Sequence, residues 1–345
     1  MRPTVALLLL TLPALAGCLQ DEPGTSTADG PAIAQGLPAA TAEVLVGLSD
    51  GSACLADLEE FLDTAPRRFD NLFEHDAARD WLDAYLTEAG FHVTRPTFDG
   101  TTHAPAGDPE GVNVIGTLNG TAPGGAGHGA QRPQLIVGAH YDTVPTSVEG
   151  AYDDGAGTVL AVCLAPVLAQ FAWHHDIVVG LWDQEELGLI GSRVHAEELA
   201  DRGVPVTLYV NYDMTGINWP AHPGPLNIPL DASMGGEGEN ELQAAWRAAH
   251  DLLEYPPEAT SSSTGLTQGP SDHGSFLAAG YPAAWVSGAK IGRNPGYHNA
   301  DTFENMIVMA GGDRAGLEEA FDTVLEMTAV WLAGVDEQMR AAGEA

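Results

Sequence analysis

The chain has 345 residues, 44% of them hydrophobic, and carries 48 acidic against 13 basic side chains for a net charge of −35. Its length is generous for one domain, falls short of a clear pair, and is enough to bury a large core. So negative a field repels nucleic-acid phosphates and excludes a nucleic-acid partner.

Residues 1–18, "MRPTVALLLLTLPALAGC", read as a secretion signal: one arginine, then an apolar run too short to span a bilayer. The run closes on Leu15-Ala16-Gly17-Cys18, which resembles the lipobox of bacterial-type lipoproteins. That resemblance implies a cell-envelope protein whose only membrane attachment is a lipid on Cys18. An ordinary cleaved signal, giving a periplasmic or extracellular product, is the alternative. Residues 19–42 are rich in Gly, Pro, Ala, Ser and Thr and read as a flexible tether, leaving 43–340 as one globular domain. Cys54 and Cys163 are the remaining cysteines. Pairing is open to them in an exported protein, but Cys163 lies in an apolar helical stretch, which favours two buried thiols. Lys290 is the only lysine, and near-absence of lysine beside abundant carboxylate resembles proteins adapted to high salt.

Helical periodicity fills 51–90, with Trp81, Leu82, Tyr85 and Leu86 on one face and Gly90 as a stop. Short apolar runs then alternate with helices. Strands are predicted at 112–118, 134–139, 176–182, 204–212 and 282–287. Helices are predicted at 157–171 (kinked at Pro166), 187–200, 239–254 and 310–336. Continuous apolar strands alternating with amphipathic helices predict an α/β fold, a mostly parallel sheet covered on both faces. Such sheets bind ligands beyond the carboxyl ends of their strands.

Each predicted strand delivers an acid or a histidine to that edge. His140 and Asp142 follow one strand, and Asp153 and Asp154 come just before the next helix. Asp183, Glu185 and Glu186 follow the third strand, Asp213 the fourth, and His298 and Asp301 lie beyond the last. Singly, such an Asp is most often a helix cap or a turn residue. Together the carboxylates would repel, and Arg193 and Arg293 are the nearby cations in a chain poor in arginine. Divalent metals answer the need. Mixed imidazole and carboxylate ligands suit zinc, with manganese or cobalt as substitutes, and two histidines with several acids suit two ions sharing a bridging carboxylate.

"GAHYD", "GAYDDGAG", "QEELGLIGS", "NYDMTG", "SDHGSF" and "YHNADTFEN" run in the order seen in the co-catalytic zinc aminopeptidases. The chain therefore resembles the family that holds bacterial leucyl aminopeptidases, with glutamate carboxypeptidases and glutaminyl cyclases among its relatives. The resemblance implies a three-layer α/β/α domain with a mixed, mostly parallel sheet, two zinc ions, and hydrolysis of N-terminal residues from peptides. It implies that His140 and Asp213 complete one metal site, Glu186 and His298 the other, and that Asp153 bridges them. Asp142 would hold the His140 imidazole. Glu185 would stay free to carry a proton, so the adjacent glutamates divide two tasks that one carboxylate cannot combine. Met214, His273 and Phe276 would face the substrate, although Ser271 or Asp272 in that segment could simply cap a helix. Tyr152 and Gly155 depart from the family's usual residues at non-ligand positions. A carboxypeptidase would need a basic clamp, for which Arg293, with Lys290 beside it, is the candidate. A cyclase of one zinc is the other alternative.

Overall fold

A computed structural model describes residues 39–99, 110–122, 131–217, 230–256, 259–267, 269–288 and 296–344. The leader and most of the stretch read as a tether lie outside the described residues. Helix α1 (Ala39–Leu48) opens inside the last residues of that stretch.

The central strands form where the sequence places unbroken apolar runs. β5 (Gln134–His140), β6 (Asp176–Trp182), β7 (Val206–Tyr212) and β10 (Ala283–Ser287) pair in parallel in the order β6-β5-β7-β10. Alternate side chains leave the two faces: Leu135, Val137 and Ala139 of β5 enter one core and Ile136 the other. β4 (Val114–Leu118) adds antiparallel beside β6, and β1 (His92–Thr94) antiparallel beside β4. On the far flank β8 (Leu230–Gly235) runs antiparallel to β10, and β9 (Thr260–Ser263) parallel to β8. Eight strands thus make a mixed sheet with a parallel centre, and β2 (Thr97–Phe98) with β3 (Gly111–Val112) forms a separate small ribbon.

Helices cover both faces. α2 (Gly51–Phe61), α3 (Leu72–Glu88), α4 (Ala156–Leu168), α6 (Glu239–Leu252) and α9 (Arg314–Glu344), with α1, supply the larger core. α5 (Ile190–Asp201) and α7 (His273–Ala278) cover the other face, and α8 (Phe303–Met309) precedes α9. The helical stretch expected over 51–90 is two helices, because Pro66 and the turn around it separate α2 from α3. Pro166 stands in the last turn of α4, which ends two residues later. Glycines inside two strands have a packing reason. A Cβ on Gly180 would lie 2.3 Å from the Trp182 indole, and one on Gly138 would lie 2.9 Å from its Nε1. The missing side chains let that ring lie flat against the sheet.

The cysteines correct the sequence reading. Cys54 on α2 and Cys163 on α4 form a disulfide, their Cα atoms 5.9 Å apart. Two apolar helix faces that pack together bring both side chains into one layer, so burial and pairing coincide here. An oxidising compartment permits such a bond.

Candidate active site

The parallel strands end on a common edge, and the chain leaves β5 for β6 on one side, then crosses back over to β7 on the other. Loops diverge at that switch point and leave a crevice. A cavity of about 390 Å³ opens there, lined by His140, Asp153, Glu185, Glu186, Asp213 and His298 together with apolar side chains. His140 is the last residue of β5, Asp213 follows β7, and Glu185 and Glu186 follow β6. Asp153 sits in the irregular turn Ala151–Gly155 before α4, and its own φ and ψ of −118° and 93° are non-helical. His298 returns on the loop after β10 with a φ of 57°.

One carboxylate lies between the two imidazoles. Oδ1 of Asp153 is 3.3 Å from His140 Nε2, and its Oδ2 is 3.2 Å from His298 Nε2. Glu186 Oε2 stands 3.4 Å from the same His298 nitrogen. Ligand atoms on a tetrahedral zinc, each about 2.0–2.1 Å from the ion, are about 3.3–3.4 Å from one another. Donor atoms of His140, Asp153 and Glu186 lie within 4.8 Å of one another, as do those of His140, Glu185 and Asp213. Several oxygens here have no hydrogen-bond partner although buried: Glu186 Oε1, Asp213 Oδ1, Asp154 Oδ2 and both of Asp272. Buried acceptors left this way cost free energy unless a cation or water meets them. The donor set and its orphan oxygens therefore fit divalent metal.

Electrostatics agree. Burial, and then the charge of Asp153, pushes the Glu186 carboxyl up to about 8 and Asp213 up to about 6. Burial raises Glu185 well above the ordinary carboxylate range, and Asp272, Asp213 and Glu186 add to the rise. Asp153 goes the other way: burial opposes it, yet hydrogen bonds from both histidines hold it down at about 2.

A second group of carboxylates ties the loops together. Asp142 accepts the backbone N–H of Glu185 (3.0 Å) and of Glu186 (3.3 Å), and its Oδ1 is 3.5 Å from His140 Nδ1. Asp154 accepts the N–H of Met214, next to Asp213. Asp301 accepts those of Tyr152 and Asp153. Beneath the sheet, a line of bonds runs from Trp182 Nε1 to the Tyr209 hydroxyl, on to Asn211, and from the Asn211 amide to Ser271.

Residues 113–317 match the model of peptidase family M28. The chain belongs to that family. Leupeptin-inactivating enzyme 1 of Streptomyces exfoliatus is 30% identical over 217 residues, 62% of this chain and 43% of that protein. The probable lipoprotein aminopeptidase LpqL of Mycobacterium tuberculosis is 30% identical over 172 residues, 47% of this chain and 33% of that one. The matched segments thus span less than half of these relatives. Among solved structures, LapA of Legionella pneumophila superposes with a TM-score of 0.64 at 18% identity, covering 91% of this chain and 80% of that one, which shows the same fold.

Within this M28 chain, not every residue anticipated at the site reaches it. Met214 lines the cavity, but Phe276 is fully buried on the opposite face of the sheet, its ring stacked 3.9 Å from that of Tyr209. α7 turns that side chain inward to the core, so it is not a cavity wall. His273 is also buried, its ring 5.2 Å from Trp285, and Trp285 is the member of that pair on the cavity. Arg293 and Lys290 lie outside the described residues. Arg193 is exposed on α5. The cations behind the site are instead Arg67 and Arg79, which no motif marks: Arg79 donates to the Tyr141 hydroxyl at 2.8 Å and to Asp183 at 3.1 Å, and His75 Nε2 is 2.9 Å from the same Asp183. Tyr297 was also missed. It lines the cavity with its ring stacked 3.8 Å from His298, and burial, followed by the charges of Asp153, Glu186, Asp213 and Glu185, keeps its phenol protonated. The "YH" pair in the last motif was the available signal.

Proposed function

We propose that this chain is a metal-dependent aminopeptidase that releases N-terminal residues from peptides. The observation that carries the reading is the Asp153 carboxylate, one oxygen toward each of two histidines, with Glu186 3.4 Å from His298 and Asp213 on the wall of the same cavity. His140, Asp153 and Asp213 would hold one ion, and Asp153, Glu186 and His298 the second. Two zinc ions, with manganese or cobalt as substitutes, would supply Lewis acidity and a water of lowered pKa.

The protein's own groups divide the remaining work. Glu185 borders the cavity with an oxygen within 4.8 Å of the His140 and Asp213 donors; with Asp153 taken as the shared ligand it is left free, and burial raises its affinity for a proton. It takes the proton of the attacking water as the oxygen–carbon bond forms, then gives it to the leaving nitrogen as the carbon–nitrogen bond breaks. Asp142 orients His140 and fixes the backbone of Glu185 at the same time. The protonated hydroxyl of Tyr297 is a donor to the scissile carbonyl oxygen as charge develops there. The acidic rim receives a cationic α-amine, and Leu189, Met214, Pro270 and Trp285 offer an apolar wall to the first side chain. An imidazole at each oxygen of Asp153 favours two ions over the single zinc of a glutaminyl-cyclase-type acyltransferase.

Paired peptides differing only in N-terminal acetylation test this. The free peptide should be trimmed from its N-terminus, a chelator should stop it, and the acetylated one should survive. Equal cleavage of both, or release from the C-terminus, rejects the aminopeptidase and leaves a carboxypeptidase reading of the same site. Export as a lipoprotein is part of the proposal, supported by "LAGC" and the Cys54–Cys163 disulfide. LpqL, a relative, bears a lipoprotein's name. Lipid mass on Cys18, lost in Cys18→Ser, is the expected result.

A further inference from the structure

Arg67 is fully buried. Its Nε donates to the carbonyl of Tyr141 at 2.7 Å, Nη1 to that of Glu149 at 3.0 Å, and Nη2 to that of Gly150 at 2.8 Å. Its own carbonyl accepts from the Thr143 backbone, and its guanidinium lies over the Phe61 ring at 4.7 Å. Among the described residues it forms no ion pair. A buried arginine ordinarily sits against a carboxylate, since an unpaired charge out of water is costly. Here the whole fork is spent on backbone oxygens of one loop, the loop that runs from Tyr141 to Gly150 between Asp142 and Asp153.

The fit is close on the loop side as well. Gly150 has a φ of 61°, and a Cβ there would come within 2.3 Å of Thr143 and 3.1 Å of Arg67 Nη2. The loop is therefore wrapped on the guanidinium. Around it, at longer range than contact, stand Asp301, Asp154, Asp142 and Asp153, whose charges favour its ionised form against burial. The geometry points to Arg67 as a resident counter-ion and former for this loop: a positioning residue that keeps the neighbouring carboxylates together before any metal arrives. Metal and Arg67 would then offset the charge of the same group of acids.

Shared neutralisation makes the two effects interdependent, whereas a simple packing role does not. The test is a thermal-unfolding cycle on the mature chain, with and without zinc, for wild type, Arg67→Met and Arg67→Lys. In Arg67→Met the zinc-free protein should lose more stability than the zinc-loaded one, so the rise in Tm on adding zinc exceeds the wild-type rise. Arg67→Lys keeps the charge and loses the fork, so its Tm should be lower in both states while the zinc-dependent rise returns to that of wild type. An Arg67→Met protein that folds only with zinc supports the proposal. If Arg67→Met folds in neither condition, Arg67→Gln takes its place with the same expectation. Equal zinc-dependent rises in the neutral variant and wild type overturn it, as does a lysine variant that behaves like the neutral one.

Discussion

The two ends of the central strands treat buried carboxylates in opposite ways. At their amino ends, Asp176 accepts from the Gly120 backbone at 2.7 Å and from Arg132 at 2.6 Å. Asp336 reaches the same end from α9 and accepts from the His174 and His175 backbones and from His175 Nδ1 at 2.7 Å, while the other ring nitrogen meets Thr207. Both of these acids have protein donors. At the carboxyl ends Glu186 and Asp213 each keep an oxygen with no partner, on the wall of a cavity. The difference teaches how to tell a structural acid from one held for a ligand: burial is common to both, and satisfaction by the protein separates them.

The comparison breaks most visibly in turnover. Glu185→Gln should keep the fold and the bound metal yet lower turnover by about 10²–10⁴-fold, because an amide cannot carry the proton. Near-normal turnover with metal bound would assign the base elsewhere. At the opposite end, Asp336→Ala leaves His175 and two backbone N–H groups without an acceptor. It should cost about 3 kcal/mol of stability, read by denaturant unfolding, while kcat/KM of the folded fraction stays at the wild-type value.

A pH series sharpens the contrast through its sign. In zinc-free protein Asp213 at about 6 and Glu186 at about 8 lie above their ordinary 3.8 and 4.5. Their contribution to stability is complete below those ordinary values and is lost as pH rises through the folded ones. Asp336 has the reverse sign. Burial opposes it, but His175 holds it below 3.8, so its contribution is present above that value and lost as pH falls. Zinc-free Tm should therefore decline between about pH 4 and 8, with Asp213 alone amounting to about 3 kcal/mol, lost by about pH 6. Zinc should abolish that decline. A flat zinc-free profile over this range contradicts the account. The smallest effect is expected from Tyr297→Phe, which removes one hydrogen bond to a developing charge: a fall in kcat of about 10–100-fold with little change in metal content.

Much of this was legible in the chain, for a physical reason. Strands buried on both faces are continuous apolar runs, so β5, β6, β7 and β10 could be placed to within a residue or two. Their ends then named the edge where His140, Glu185, Glu186 and Asp213 meet. β1, β8 and β9 were missed because they flank the sheet, and β9 is only Thr260 and three serines. Which side chains share a layer is set by packing rather than by local pattern. The Cys54–Cys163 bond, the inward turn of Phe276 and the burial of Arg67 beside a half-buried Arg68 follow from tertiary contacts that no window of sequence contains.

Glu185 and Glu186 are neighbours, both tethered through their N–H groups to Asp142. Consecutive Cα atoms are fixed about 3.8 Å apart by the peptide bond itself, which makes the backbone a ruler. On the proposed roles, a metal of different radius that drew Glu186 inward would carry Glu185 with it, so the proposed base would track the ion instead of being left behind. The same coupling limits redesign. A residue inserted between the pair would break the ruler, and the anchorage at Asp142 confines useful variation in metal or substrate to the far wall, around Met214, Trp285 and Tyr297.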